Sequence, residues 1–583
     1  MHSTARRRAP SSNPFRYACL LVLCGFSWAI AAPAGRALGD PGRVRSTAEQ
    51  IDRLVGQRLS TAQLPASPLA DDCEFVRRAF LCLTGRIPTV DDTRGFLEDL
   101  AADKRIRLID RLLASPHYGK HFANGWHRLL TGREFAMARP PDTRLLADWL
   151  TTAFNENRSW DELVKDIITA EGTHGEQPAT IFFTLHGNSR GIPEPNVIAA
   201  TAGKLFLGLD LECAECHDHP FQNWSQREFW GLAAFFSRVK DSGNKGGAKR
   251  WIKETPLESR EPATLAIPES SFTNVGMEVA ARLPDTDETD VTGRKSLRSV
   301  YAEWMTGGDN RLFAQNMANR IWAHCFGRGL MNPLNGFRRG GGKPLPDDPL
   351  SDHPLSGDLL LGDPLLGDPL SGDEASPPSP THPELLELLA RELAASGFDQ
   401  KHLLRCICAS ETWQRSSQPL PASQDDSDLY SHRTPIVFGP EMLLDSLTVF
   451  WGGELLSSQR PKMDFRNPLL PLVSPGEEFL RLFRTLPKDA KRTRYTQGIP
   501  QLLFLMNSLV LNAESPIVSG LLESNSNAQD AIEHLYLAAL SRRPDDEELS
   551  DAVDFVVGQK TSREGLEGVL WTLFNRSEFI INH

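Results

Sequence analysis

The stretch Leu211-Glu-Cys-Ala-Glu-Cys-His-Asp-His-Pro-Phe221 is the most informative part of this sequence, and it lies between two apolar segments. Residues 196–209 run apolar towards it, and residues 226–238 follow it with the apolar spacing of a helix. The stretch is therefore expected at a helix end and loop between two apolar helices. Such a place can hold a flat apolar cofactor.

Two cysteines three positions apart and a directly following histidine form the centre of this stretch. Cys213, Cys216 and His217 match the C-x-x-C-H pattern of covalent c-type haem attachment. Each thiol would add across one vinyl group of the porphyrin, and the adjacent imidazole would be an axial ligand of the iron. The pattern predicts a haem c held by these three residues.

The same residues permit two other interpretations. Cys213 and Cys216 would also suit an exposed disulfide, and His219 extends the pattern to Cys-x-x-Cys-x-x-His. A zinc or iron site without haem would then use the two thiols with His217, His219 or both. The residues alone leave these alternatives open, and the compartment favours haem.

The N-terminus predicts export. Residues 1–32 combine a basic start, a short apolar run from Tyr17 to Ile30 and a small-x-small site at Ala29-Ile30-Ala31. No later stretch is long and apolar enough to span a bilayer. We therefore expect a mature chain in the periplasm or at the cell surface, where bacteria attach c-type haem.

The remaining cysteines argue against a disulfide framework. Nine are present, and two of them, Cys19 and Cys24, belong to the predicted signal, which leaves an odd number. Cys406 and Cys408 are two apart in a helical pattern, so they should point in different directions and not pair. Three others lie among apolar residues and are expected to be buried, inert thiols: Cys73, Cys82 and Cys325.

The length of the chain, its net charge and the spacing of its apolar residues limit the possible fold classes. The chain has 583 residues and a net charge of −12 without a basic stripe, which argues against nucleic-acid binding. Helical patterns dominate and predict a mainly α fold with two helical domains joined by an irregular or short-β segment. The expected divisions are a signal at 1–32, a first domain at 46–240, a linker at 241–294 and a second domain at 295–583.

The second domain contains a low-complexity insertion at 338–380. Asp-Pro-Leu recurs at 348–350, 363–365 and 368–370. The repeat is too short and too rich in proline for a packed core, so we expect this insertion to be disordered.

Motifs along nearly the whole mature chain are similar to those of known protein families. In the first domain they are Phe75-Val-Arg-Arg-Ala-Phe-Leu-Cys-Leu-Thr-Gly-Arg-Ile-Pro88, Leu108-Ile-Asp-Arg-Leu-Leu-Ala-Ser-Pro116, Leu211 to Phe221, and the run 224–236. In the second they are Asn319-Arg-Ile-Trp-Ala-His-Cys-Phe-Gly-Arg-Gly329, His382-Pro-Glu-Leu-Leu386, Leu505-Met-Asn-Ser508 and Asn575-Arg-Ser-Glu-Phe579. On these residues the chain resembles the paired planctomycete cytochrome-type families, a PSCyt2-like domain followed by a PSD1-like domain, which usually occur together in exported bacterial proteins.

The resemblance implies a cytochrome-like protein but no defined activity. Many such proteins carry a separate N-terminal cytochrome c module, whereas this sequence has a single C-x-x-C-H. The chain also has Cys82 where an aspartate is usual and the long insertion where a short link is usual. These departures weaken the case for an electron relay over several haems. A single haem would still accept or donate one electron.

Three functions follow from the sequence. The first is an exported c-type-haem-like protein that transfers electrons to an unidentified redox partner. The second is a zinc or iron protein without haem. The third is a non-catalytic scaffold whose contact surface is an aromatic segment formed by Phe221, Trp224, Phe229, Trp230, Phe235 and Phe236. The sequence assigns no catalytic residue, and the possible ligands opposite His217 are His186, His324, Met331 and Met506.

Overall fold

Helices with well-defined ends make up most of the described chain. The computed structural model describes residues 40–582 apart from 133–140, 220–222, 242–250, 257–263, 290–293, 339–378, 452–474, 485–504, 507–513 and single or paired positions between 270 and 427. The predicted export signal lies outside the described residues, and so does the 339–378 part of the predicted insertion.

In the described residues, the first part of the chain folds as seven helices. They are α1 (Pro41–Thr61), α2 (Asp72–Thr84), α3 (Val90–Glu98), α4 (Lys104–Leu113), α5 (Pro116–Thr131), α6 (Arg144–Asn155) and α7 (Trp160–Thr169). Local signals in the sequence set their ends. Helix α2 stops at Gly85, whose φ of 68° is the left-handed conformation that glycine adopts readily. Helix α3 begins where the Thr89 hydroxyl accepts a hydrogen bond of 3.2 Å from the Asp92 amide.

Shorter elements surround the cysteine motif. The helices are α8 (Ile181–Leu185), α9 (Pro195–Ala202) and α10 (Gln226–Ala233). Helix α9 continues into a π-helical turn at Gly203–Leu207, which ends at Gly208 with a φ of 68°. Helix α10 continues into a 3-10 turn at Ala234–Phe236. The two apolar helices predicted on either side of the motif are therefore confirmed, each with a change of helix type at its end.

Short strands lie in and beside the predicted linker, as the sequence predicts, and one strand, β1 (Gly172–Thr173), lies earlier in the chain. The others are β2 (Val239–Asp241), β3 (Trp251–Glu254), β4 (Thr264–Ala266) and β5 (Glu278–Ala280). Strand β3 lies between β1 and β2 in an antiparallel sheet, with Gly172 opposite Ile252 and Val239 opposite Glu254. Strands β4 and β5 form a separate antiparallel pair.

The sheet is tied to the next helix, α11 (Leu297–Thr306), by a buried carboxylate. Glu254 accepts hydrogen bonds from the Leu297 amide at 2.7 Å and from Arg298 Nε at 3.0 Å. Because both charged side chains are almost completely buried, each needs the other to offset its lost hydration.

The remaining described elements are again mostly helical. The helices are α12 (Arg311–Phe326), α13 (Pro383–Ala395), α14 (Gln400–Ala409), α15 (Glu411–Gln414), α16 (Pro440–Trp451), α17 (Pro475–Arg484), α18 (Pro516–Glu523), α19 (Ala528–Leu540), α20 (Asp546–Val557) and α21 (Ser562–Asn575). Strands β6 (Ile436–Val437) and β7 (Ile581–Asn582) pair antiparallel. The mainly α fold class predicted from the sequence is confirmed.

Two apolar clusters form the core. The larger cluster takes residues from Ile51 to Tyr430, so helices from both predicted domains contribute to it. The smaller cluster joins the end of α2 and the start of α3 to residues 438–580. Trp126 and Trp160 belong to the larger cluster with ring centroids 4.2 Å apart, so these tryptophans serve core packing. None of the helices described has the length and apolarity needed to cross a membrane.

Candidate functional site

The C-x-x-C-H motif lies on a short 3-10 helix between α9 and α10. This helix spans Glu212–Glu215, and its one fully buried residue is Ala214. Cys213 is exposed, and Cys216 is partly exposed; neither forms a disulfide. The motif is thus anchored through Ala214 while its two sulfurs lie towards the protein surface.

A buried glutamine holds the motif in place. Gln226, the first residue of α10, is fully buried. Its Nε2 donates hydrogen bonds of 3.2 Å to the Glu215 carbonyl and 3.0 Å to the Cys216 carbonyl. Its Oε1 accepts bonds of 2.8 Å from both Thr273 Oγ1 and Asn274 Nδ2. One side chain therefore joins the motif, helix α10 and the loop before β5.

The aromatic residues after the motif support it from the core side. Trp224, Phe229 and Trp230 are buried, and Trp230 Nε1 donates a hydrogen bond of 3.0 Å to the Glu215 carbonyl. Phe235 and Phe236 are also buried, whereas Phe221 lies outside the described residues. The hypothesis that this aromatic segment is a contact surface is therefore wrong for its described rings.

The imidazole of His217 has a defined orientation. Its Nδ1 lies 2.7 Å from the Asp218 carbonyl oxygen, which can only accept, so Nδ1 carries the proton of this bond. The Asp218 carboxylate accepts a hydrogen bond of 2.8 Å from the backbone N–H of Gln226, next to the Ser225 N-cap of α10. Asp218 therefore both orients His217 and fixes the following helix.

His219 belongs to a different set of contacts. Its amide donates a hydrogen bond of 2.8 Å to the Trp224 carbonyl, closing the turn that leads into α10. Burial lowers the pKa of its imidazole, which a contact with the Asp210 backbone partly opposes. His219 is thus mainly a neutral side chain that packs beside the motif.

The two thiols of the motif are held in their protonated form. Partial burial, with the nearby carboxylates of Asp210 and Glu212, raises the pKa of Cys213. Burial and the Glu215 carboxylate raise the pKa of Cys216. Redox-active C-x-x-C pairs have a lowered thiol pKa, whereas the pKa of both thiols here is shifted upward, which is not the pattern of a thiol–disulfide exchange site.

Groups of side chains that could bind a metal ion occur elsewhere in the described chain. Within that part, three or more donor atoms lie within 4.8 Å of one another in two places: Cys82 with Cys325 and Cys408, and Glu392 with His402 and Cys406. The motif residues Cys213, Cys216, His217 and His219 do not converge in this way. A preformed zinc site needs such convergence, whereas haem attachment does not, because the thioethers and the imidazole bind different atoms of the group.

The second of these groups lies on α13 and α14. His402 Nε2 lies 2.6 Å from Glu392 Oε1, and Cys406 Sγ lies 3.7 Å from the same imidazole nitrogen. Arg43 also donates to Glu392 at 2.7 Å. Since Cys406 belongs to this group and Cys408 to the other, the prediction that the two thiols point in different directions is confirmed.

The three-cysteine group is the feature that sequence reasoning missed. Burial of Cys82 and Cys325 was expected and is confirmed, while Cys73 is only partly buried. Contacts with the Cys325 and Cys408 thiols lower the pKa of Cys82, whereas burial raises the pKa of the other two. Each cysteine lies in a separate apolar helix, and no local spacing in the sequence signals that the three meet.

The residues considered as ligands opposite His217 are dispersed. His186 is buried with Nδ1 2.8 Å from the Phe182 carbonyl, and His324 Nε2 donates a bond of 2.7 Å to the Cys82 carbonyl. Met331 is buried and Met506 is exposed. Met277, which the sequence did not single out, is 40% exposed on the loop whose Asn274 bonds Gln226.

Comparison with protein families gives one match in each half of the chain. Residues 50–241 match PSCyt2, described as a protein of unknown function (DUF1549). Residues 297–349 and 371–556 match PSD1, described as a protein of unknown function (DUF1553). The chain belongs to the paired PSCyt2 and PSD1 families. The PSCyt2 match contains the C-x-x-C-H motif and Cys82, and the PSD1 match contains Cys325 and Cys408.

The resemblance expected from the sequence motifs is thereby confirmed for both families. Neither family description states an activity. No match was found among curated proteins or among solved structures.

Proposed function

We propose that this chain is an exported c-type haem protein with a role in electron transfer. Cys213 and Cys216 would form the thioether bonds, and His217 would be the proximal ligand. The observation that carries the proposal is the contact between His217 Nδ1 and the Asp218 carbonyl. A haem-ligating histidine uses one ring nitrogen for iron and commonly donates the other to a carbonyl, so Nε2 would be the ligand atom here.

The exposure of the motif supports the same role. Covalent attachment requires both thiols to reach the porphyrin edge, and Cys213 and Cys216 lie towards the surface. Val275 and Met277 are 50% and 40% exposed on the loop that Gln226 ties to the motif. These exposed apolar side chains would suit contact with an apolar cofactor, and the Met277 thioether would be a further candidate iron ligand.

Haem would supply a one-electron carrier, and the chain would orient it. Gln226 and Trp230 hold the carbonyls of the motif, which keeps the thiols and the imidazole in fixed relative positions. Asp218 holds the ring of His217 in one tautomer. The predicted export signal would deliver the chain to the periplasm or cell surface, where haem attachment and an exported redox partner are available.

The test is expression of the full chain, with its own export signal, in a host that matures cytochrome c. A covalent haem stays on the denatured polypeptide in a haem stain and resists extraction with acid acetone. We expect one haem per chain, and none in a Cys213→Ser, Cys216→Ser double variant. A colourless exported protein that holds one equivalent of zinc at the motif would overturn the proposal in favour of a metal site without haem.

A further inference from the structure

Three thiols from three separate helices meet in the core. Cys82 lies on α2, Cys325 on α12 and Cys408 on α14, and each is buried. Their Sγ atoms all lie within 4.8 Å of one another, and those of Cys82 and Cys325 are 4.0 Å apart. The cluster joins a residue of the PSCyt2 match to two residues of the PSD1 match.

The spacing of these sulfurs suits a single three-coordinate cation. A metal–sulfur bond of about 2.3 Å places the sulfurs of a planar three-coordinate site about 4.0 Å apart. Structural zinc is almost always bound by four ligands, and no fourth donor joins this group in the described part of the chain. Soft thiolate ligands also select Cu(I), which accepts three sulfurs without a fourth ligand, so Cu(I) suits this cluster better than zinc does.

Arg433 is a buried arginine within electrostatic reach of the cluster and of Glu74, and its guanidinium carbon lies 5.6 Å from the centre of the Phe326 ring. Arg433 is fully buried, and in the described part of the chain its Nε and Nη2 have no hydrogen-bond partner. Its Nη1 donates a bond of 2.8 Å to the Thr434 carbonyl. The three cysteines are among the groups whose charge acts on this guanidinium. A buried guanidinium with unused donors is costly, and thiolates beside it would reduce that cost.

We propose that Cys82, Cys325 and Cys408 bind one Cu(I) ion as a three-thiolate site, with Arg433 as the neighbouring counter-charge. Binding forms three Cu–S bonds and releases one proton from each thiol to solvent, so no atom changes oxidation state. The resulting complex carries two negative charges, which Arg433 partly offsets. The ion would cross-link α2, α12 and α14 and thus stabilise the packing of the two matched regions.

The site is independent of the proposed haem. The haem motif lies on the surface around Cys213, and the thiol cluster lies in the core. An experiment on a background without the surface thiols therefore tests the two proposals separately. The protein for this test is the full chain with Cys213→Ser and Cys216→Ser, kept reduced and free of oxygen.

The measurement is a titration with Cu(I) against a chromogenic Cu(I) chelator, repeated after refolding from urea in the presence of Cu(I). We expect one Cu(I) per chain, a thiolate-to-copper absorption band in the near ultraviolet and a higher melting temperature. Cys408→Ser should abolish all three effects. Cys73→Ser, a partly buried cysteine on α2 outside both groups, should leave them intact.

Folding of the variants is checked by circular dichroism, and Cys408→Ala is measured beside the serine variant. X-ray absorption at the copper edge counts sulfur neighbours without any change in the cluster, and three are expected. The proposal is overturned by an absence of Cu(I) binding in both titrations, by equal binding in a folded Cys408 variant, or by preferential binding of zinc. It is also overturned by a Cys82–Cys325 disulfide in protein exported without added reductant.

Discussion

The side-chain amide of Gln226 donates a hydrogen bond of 3.0 Å to the carbonyl of Cys216, which fixes the end of the C-x-x-C-H motif to the first turn of α10. Gln226 is fully buried, and the oxygen of the same amide accepts hydrogen bonds from Thr273 and Asn274. The geometry of the motif therefore depends on a residue ten positions away that carries no reactive chemistry.

Replacing this glutamine should loosen the motif. We expect Gln226→Leu to lower the free energy of unfolding by about 2–3 kcal/mol, because buried polar partners such as the Cys216 carbonyl lose their hydrogen bonds. The yield of covalently attached haem should fall several-fold, as seen in a haem stain normalised to protein. Arg227→Ala, at the exposed next position, is the matched control and should change neither quantity. Unchanged stability in Gln226→Leu would show that the amide does not hold the motif.

The two histidines of the motif should behave differently. His217→Ala should keep haem on the two cysteines at reduced yield but change the visible spectrum, because the proximal ligand of the iron is lost. His219→Ala should keep the spectrum, because that residue contacts the Asp210 backbone and the turn before α10. Absorption spectra of the reduced proteins provide the measurement. A spectral change in His219→Ala but not in His217→Ala would show that our proposal assigns the iron to the wrong histidine.

Local features of the sequence account for the helices. The stop at Gly85 and the cap at Thr89 each depend on contacts within four residues, so they can be read directly from the chain. The same holds for the end of α12 at Gly327, which has a φ of 82°. The C-x-x-C-H pattern is likewise local, which is why its place between two apolar helices was predicted correctly.

The contacts that define the two candidate sites are not local. Gln226 bonds Thr273 across 47 positions, and Cys82 meets Cys325 across 243. Each cysteine of the cluster looks like an ordinary core residue in its own helix, because hydrophobic periodicity reports burial and not the identity of the neighbour. A prediction of the cluster would have required the packing of α2 against α12 and α14, which only the folded chain provides.

The reactivity of the motif thiols before haem attachment should depend on nearby carboxylates. Asp210 and Glu212 help to raise the pKa of Cys213, so less thiolate is present at a given pH. Glu212→Gln removes one negative charge, lowers this pKa and should speed alkylation of Cys213 by iodoacetamide about two-fold at pH 8. Mass spectrometry of the apo protein measures the rate at this cysteine. Glu176→Gln, an exposed carboxylate outside the motif, is the control, and an equal increase there would contradict the explanation.

An acidic side chain near the C-terminus should make the stability of the protein depend on pH. Glu548 accepts bonds of 2.6 and 2.9 Å from Arg542 and one of 2.7 Å from Arg576. Hydrogen bonds from Arg542 lower its pKa to about 2, despite partial burial, from the usual 4.5. Because the folded state holds the lower pKa, this contribution to stability is complete above pH 4.5 and is lost as the pH falls towards 2.

Glu548→Gln should therefore lower the free energy of unfolding by about 1–2 kcal/mol at pH 7, and the difference from the unmodified protein should shrink below pH 4.5. Urea unfolding followed by far-ultraviolet circular dichroism at pH 7, 4.5 and 3 measures both effects. Glu547→Gln, an exposed neighbour on the same turn of α20, should have little effect at any of these values. A difference for Glu548→Gln that stayed constant from pH 7 to pH 3 would mean that its stabilising contacts do not depend on the negative charge.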